Sequence, residues 1–87
     1  MDSRRRKVYF DTLLEKQEYK CCYCEEEVLI TFNKHKRKAT LEHLRRKADG
    51  GKNTWDNLAI ACLECNSERG SIDWFTYTTY KRGELYL

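Results

Sequence analysis

The chain has 87 residues, 40% of them hydrophobic, with a formal net charge of +3, five cysteines and no proline. That length makes one domain with a thin core, which surface-to-volume scaling leaves short of stability unless something staples it. No apolar run is long enough to cross a membrane and no apolar segment follows the basic N-terminus as in a secretory leader, so the expectation is a cytoplasmic, reduced protein whose cysteines hold metal.

In chain order, Val8, Tyr9, Phe10, Leu13 and Leu14 fit one broad apolar face of a helix over residues 4–19, expected to pack over the metal module. Its first turn carries Arg4, Arg5, Arg6 and Lys7, a poor match to the helix dipole but a good one to a nucleic-acid backbone. Cys21 and Cys24 then make a first C-x2-C knuckle, with Cys22 inside the spacing expected to pack or stay free. Residues 28–32, rich in β-branched and aromatic side chains, read as a short strand or an extension of the knuckle, and residues 33–38 as a charged loop.

Residues 39–44 alternate with the period of a strand, Thr40, Glu42 and Leu44 on one side and Leu41 and His43 on the other. That alternation sends Glu42 and His43 to opposite faces unless a bulge or the strand end turns one of them. A loop with a Gly50-Gly51 turn follows, then a second strand over residues 55–61. A helix over residues 62–69 aligns Cys62, Cys65, Asn66 and Arg69 on one face, and Gly70 breaks it. Ser71 is expected to cap a short helix with Ile72 and Phe75 inward, although residues 74–80 are equally rich in strand formers; residues 81–87 read as a tail. Nothing divides the chain, so residues 1–87 read as a single domain.

Two C-x2-C pairs predict one structural zinc on Cys21, Cys24, Cys62 and Cys65, since four thiolates close every tetrahedral position and leave none for substrate. The formal charge falls to about +1 once four thiolates bind Zn²⁺, so local basic clusters matter more than the total. With the zinc saturated, Glu42 and Asn66 are the candidate oxygen ligands of a second, harder ion, Mg²⁺ or Mn²⁺, and His43 is the candidate general base. An isolated Glu-His pair is usually a surface or core feature, and an isolated Asn is usually satisfied by backbone. Their case rests on Asn66 following Cys65 directly, where zinc would fix its backbone, and on the Gly-Gly turn that lets the Glu42-His43 strand return to it. The clusters Lys36-Arg37-Lys38 and Arg45-Arg46-Lys47 bracket that pair and are expected to line a phosphate-binding rim, and Arg69 either meets a phosphate or caps its helix.

Glu42-His43, Gly50-Gly51, Asp56-Asn57-Leu58 and Cys62-x2-Cys65-Asn66 with Arg69-Gly70 fall in the order found in the HNH endonuclease family, which the chain resembles over residues 21–70. The resemblance implies a small α+β, ββα-metal (His-Me finger) fold with an N-terminal helix and a four-cysteine zinc. It implies that Glu42 and Asn66 hold a catalytic ion, His43 activates water, and Asn57 secures the intervening loop by hydrogen bonds to backbone near His43. It also implies a helix carrying Asn66 across the minor groove of double-stranded DNA, and products with 5′-phosphate and 3′-hydroxyl ends. Partners follow by the same resemblance: DNA, a second copy of the chain for cutting both strands, or a larger phage or restriction assembly, with a phage or bacterial source and no membrane. Three departures stand out, Asn66 where many members have His, Glu42 where Asp or His is frequent, and Leu44-Arg45-Arg46 without the usual proline.

The rival reading is a non-catalytic zinc-ribbon module for nucleic-acid binding or assembly. Basic loops and a four-thiolate zinc satisfy it, but it has no use for Glu42, His43 and Asn57 together.

Overall fold

A computed structural model describes residues 1–83. Helix α1 spans Ser3–Lys16, and the Asp2 carboxylate caps it by accepting from the Arg5 backbone N–H at 2.8 Å, which places a negative charge beside the arginine-rich first turn. Its inward stripe is narrower than the sequence suggests: Tyr9, Leu13 and Leu14 are buried, Phe10 is half-buried, and Val8 faces solvent. Just past the helix, Gln17 acts as a short strand substitute. Its carboxamide donates to Ile60 O at 3.0 Å and accepts from Ile60 N at 2.8 Å.

Strand β1, Ala39–His43, pairs antiparallel with β2, Leu58–Cys62, in the register Ala39↔Cys62 through His43↔Leu58. No residue is skipped, so no bulge intervenes. All five β2 residues are buried, because α1 packs against this strand on one side while the cysteine cluster and the following helix close the other. Trp55–Asn57, expected as strand, instead forms a 3-10 turn that delivers the chain to β2.

The connection between the strands depends on both glycines. Gly50 sits at φ 86°, in the left-handed region, and a Cβ at Gly51 would lie 1.8 Å from the Arg45 carbonyl oxygen. A short 3-10 turn, Lys47–Asp49, precedes them.

Of the two readings of residues 28–32, the strand does not form. Only isolated bridges, Lys20↔Glu27 and Leu29↔Lys38, flank this stretch; Val28 turns inward while Ile30 and Phe32 face water. Strand-forming side chains favour the extended backbone, but without a neighbouring strand of matching length they form no ladder.

Helix α2, Leu63–Arg69, follows β2 directly, with the Cys62 sulfur capping it. Helix α3, Trp74–Lys81, starts at Asp73, whose carboxylate accepts from the Phe75 and Thr76 N–H groups; the cap is therefore Asp73 and not Ser71. Ile72 and Phe75 are exposed, and the inward residue is Tyr77, whose ring meets that of Tyr23 edge-on at 4.9 Å. Of the expected C-terminal tail, Lys81 closes α3 and residues 84–87 lie outside the described residues. Among the described residues no helix is long and apolar enough to cross a membrane. The β1-β2-α2 unit behind an N-terminal helix is a small α+β, ββα-metal fold.

Candidate metal centre and active site

Cys21, Cys24, Cys62 and Cys65 come together from two distant stretches, their sulfurs all within 4.8 Å of one another. Tetrahedral zinc with bonds of about 2.3 Å asks for sulfurs about 3.8 Å apart, so the cluster needs only slight contraction around an ion. Its surroundings are those of thiolates. Tyr23 N–H donates to Cys21 Sγ at 3.3 Å, Cys65 N–H to Cys62 Sγ at 3.4 Å, and the Arg37 guanidinium to Cys24 Sγ at 3.3 Å. Cys22 stands outside the cluster, as the C-x2-C spacing requires.

Arg37 was expected at a phosphate rim, and the structure corrects this. Besides Cys24, its guanidinium donates twice to Glu27 O, at 3.0 and 2.7 Å, and pairs with Glu26 at 3.5 Å. It covers the Cys24 sulfur and closes the knuckle.

Arg69 is corrected in the same way. It is 3% exposed, and its guanidinium donates to Ile72 O, His43 O and Leu44 O at 2.7, 2.8 and 2.6 Å. Its Nη1 also reaches Tyr23 Oη at 3.2 Å and Glu42 Oε2 at 3.4 Å. A planar fork of donors suits this set of fixed oxygens, and it ties the last turn of α2 to the end of β1. Sequence reasoning offered a phosphate contact or a helix cap for this residue. The structure makes it a buried clamp.

Glu42 is the carboxylate in that network. Burial pushes its carboxyl up, opposed by the Arg69 guanidinium and by the Tyr23 hydroxyl, which donates to Oε2 at 3.1 Å. Both contacts fall on Oε2, so Oε1 keeps its acceptor capacity. Asn66, one turn ahead of Arg69, donates through Nδ2 to Thr40 Oγ1 at 2.9 Å, which turns its Oδ1 away from the strand. Thr40 and Glu42 share one face of β1, so Asn66 and Arg69 of α2 lie along that face in parallel order.

His43 is the last residue of β1, paired with Leu58, at the strand end where the alternation need not hold. Its Nε2 is 2.7 Å from Asn53 Oδ1. A carboxamide oxygen only accepts, so Nε2 carries the proton and Nδ1 keeps the lone pair. The Asn53 backbone carbonyl in turn accepts from Tyr9 Oη at 3.2 Å, and the Tyr9 ring meets Trp55 at 4.3 Å. Asn53 went unnoticed in the sequence. The only signal was a carboxamide two residues past the Gly-Gly turn, and only the folded loop brings it to the imidazole.

Asn57 makes three bonds with the loop: its Oδ1 accepts from Arg45 N at 2.8 Å, and its Nδ2 donates to Arg45 O at 3.1 Å and Lys52 O at 2.9 Å. Its backbone carbonyl also accepts from Leu44 N at 2.9 Å. These four bonds hold the residues on either side of the loop at a fixed separation. His43 and Glu42 therefore sit at the rigid end of a strand, between α2 and a clamped loop.

Of the remaining basic residues, Lys36, Arg45 and Lys47 are exposed, while Lys38 and Arg46 are half-buried. Arg46 is paired with Asp49 at 2.9 Å. On the Leu41 face of β1, a cleft of about 670 Å³ runs between α1 and residues 30–32, with Arg6, Lys7 and Lys38 among its lining residues.

The profile of the HNH endonuclease family matches residues 21–71, more than half of the chain, a span that holds both knuckles, β1, the glycine loop, β2 and α2. No curated protein matches the chain. The family match and the four-cysteine cluster agree on one conclusion: this chain is a member of the HNH endonuclease family, in its zinc-binding form.

Proposed function

We propose that the chain is a metal-dependent endonuclease that hydrolyses phosphodiester bonds of double-stranded DNA, with His43 as general base. The observation that carries this reading is the oriented imidazole: Asn53 holds Nε2–H at 2.7 Å, so the basic Nδ1 is the free atom at the strand end. His43 Nδ1 takes a proton from water, the water oxygen attacks phosphorus, and the P–O3′ bond breaks with the 3′ oxygen taking a proton from solvent, giving a 5′-phosphate and a 3′-hydroxyl. Asn57 keeps the loop from drifting, and the base with it.

The residues suited to hold Mg²⁺ or Mn²⁺ are Asn66 through Oδ1 and Glu42 through Oε1, the two oxygens their hydrogen bonds leave free. Such an ion supplies charge stabilisation at the phosphate and at the departing oxygen. Arg69 already balances the Glu42 carboxylate, so the ion's charge is balanced mainly by the phosphate itself, and ion and DNA bind together. Arg45, Arg46, Lys47, Lys36 and Lys38 contribute to the backbone track, without reading bases. One site cuts one strand per engagement, so double-strand cleavage needs a second copy or a larger assembly.

The test is incubation of the zinc-loaded protein with supercoiled plasmid and Mg²⁺ or Mn²⁺, followed by end mapping. Wild type is expected to nick or linearise the plasmid, and His43→Ala to abolish cleavage at unchanged zinc content; cleavage that persists in this variant refutes the base assignment.

A second reading, a non-catalytic zinc module that binds nucleic acid, draws on the commitment of Glu42 Oε2 to Arg69 and Tyr23. It predicts DNA binding with no cleavage under any divalent ion, alone or with a partner.

A further inference from the structure

Beyond the segment matched to the family, α3 builds one wall of a second cleft, of about 310 Å³, beside the end of β1. Leu44, the residue after His43, lines it together with three arginines, Arg45, Arg46 and Arg69, two carboxylates, Asp49 and Asp73, and Ser71 and Trp74. The two carboxylates are committed elsewhere. Asp49 accepts from the Arg46 guanidinium at 2.9 Å, and Asp73 accepts from the first N–H groups of α3. Among the described residues, the Ser71 hydroxyl and the Trp74 indole N–H have no protein partner, and Arg45 uses only Nε, on Asp49 O at 2.7 Å, leaving both Nη groups free. The Trp74 ring is braced at 89° by Phe75 and stays 38% exposed.

An exposed indole next to an apolar side chain, an unpaired guanidinium and a free hydroxyl is the chemistry of a base-stacking platform. Three guanidiniums against two committed carboxylates leave the rim basic, which suits the phosphate that flanks a base stacked on the indole. We propose that this cleft receives an unstacked nucleobase from the strand next to the one phosphate that His43 addresses, with Trp74 stacking on the base and Arg45 on its flanking phosphate. The bases of an intact duplex are held in the stack and do not reach such a side pocket. The inference rests on the nuclease reading for its placement and narrows the substrate class to DNA with single-stranded, bulged or flapped positions.

The test reads binding and not cleavage, so it stands apart from the plasmid assay. The zinc-loaded full chain is titrated, without added divalent ion, against three labelled oligonucleotides: a single strand, a blunt duplex, and the same duplex with a one-nucleotide bulge. Wild type is expected to prefer the bulged and single-stranded probes. Trp74→Ala is expected to weaken those two by about tenfold while duplex binding stays within about twofold, and Trp74→Phe to keep most of the preference. In a Trp55→Phe background, where Trp74 is the sole tryptophan, the bulged probe should quench its fluorescence more than the duplex does. Equal affinity of wild type for all three probes, equal loss on all three in Trp74→Ala, or absence of quenching overturns the proposal. A protein that discriminates the probes but never cleaves plasmid refutes the nuclease reading and leaves the platform standing.

Discussion

Arg69 and Glu42 meet inside the molecule, Nη1 to Oε2 at 3.4 Å, with side chains 3% and 10% exposed. The same guanidinium satisfies the carbonyls of His43 and Leu44, so it joins the only helix of the ββα unit to the strand end that carries the base. Removing one partner of a buried pair leaves the other charge without compensation. Arg69→Ala is therefore expected to destabilise the fold by about 3–5 kcal/mol. Arg69→Lys should recover little of this, because an ammonium cannot reproduce the fork. Denaturant unfolding of the zinc-loaded variants measures both.

The cysteine cluster predicts one zinc per chain. Cys21→Ser and Cys24→Ser should each lose zinc and cooperative unfolding together, whereas Cys22→Ser should keep both, because Cys22 lies outside the cluster. Chelation of wild type should unfold the β1-β2-α2 unit, since in a domain of this size metal-binding energy is folding energy. Metal analysis and thermal melts of the same samples decide it, and a Cys22→Ser variant without zinc would reverse the ligand assignment.

Asn53 is expected to act through His43. Asn53→Ala should lower cleavage by about 10- to 100-fold, the cost of a poorly placed catalytic group, with zinc content and melting temperature nearly unchanged. The loss should fall on kcat more than on KM, because Asn53 bonds the imidazole at 2.7 Å and its backbone contact to Tyr9 survives the substitution. A change in KM alone would assign Asn53 to binding.

Glu68 ties α2 to α3: the Tyr77 hydroxyl donates to it at 2.9 Å, with Lys81 at 3.4 Å. The Tyr77 hydrogen bond, and then Lys81, hold its carboxyl below the usual glutamate value. With the folded value depressed, its contribution is present above the unfolded glutamate value and is lost as pH falls through the folded one. Glu68→Gln should therefore melt slightly below wild type at neutral pH, and the gap should close on acidification. Melts of the two proteins in paired buffers test the sign.

Much of the scaffold was legible from local pattern. Two C-x2-C pairs predict a four-thiol metal cluster because ligand spacing is short-range, and the alternation puts Thr40 and Glu42 on one face, where Asn66 and Arg69 meet them, because strand period is a property of the backbone. The N-terminal helix followed from apolar periodicity, with its start set by the Asp2 cap, whereas residues 74–80, which read equally as strand, became helix through the Asp73 cap. At residues 28–32 the strand reading failed, because a strand needs a partner and propensity does not supply one.

What the sequence determined alone is the donor chemistry: four thiols, an imidazole, a carboxylate and carboxamides, spaced for one metal-stapled ββα unit. The folded chain alone decided their allegiances. Arg37, which reads as a phosphate contact, and Arg69, which reads as a phosphate contact or a helix cap, turn to a cysteine sulfur and a buried carboxylate, and Asn53 moves from an unremarked loop position to the imidazole. The physical reason is that burial sets the cost of an unpaired charge. A guanidinium is committed to whichever anion the fold removes from water, and separation along the chain carries no record of which one that is.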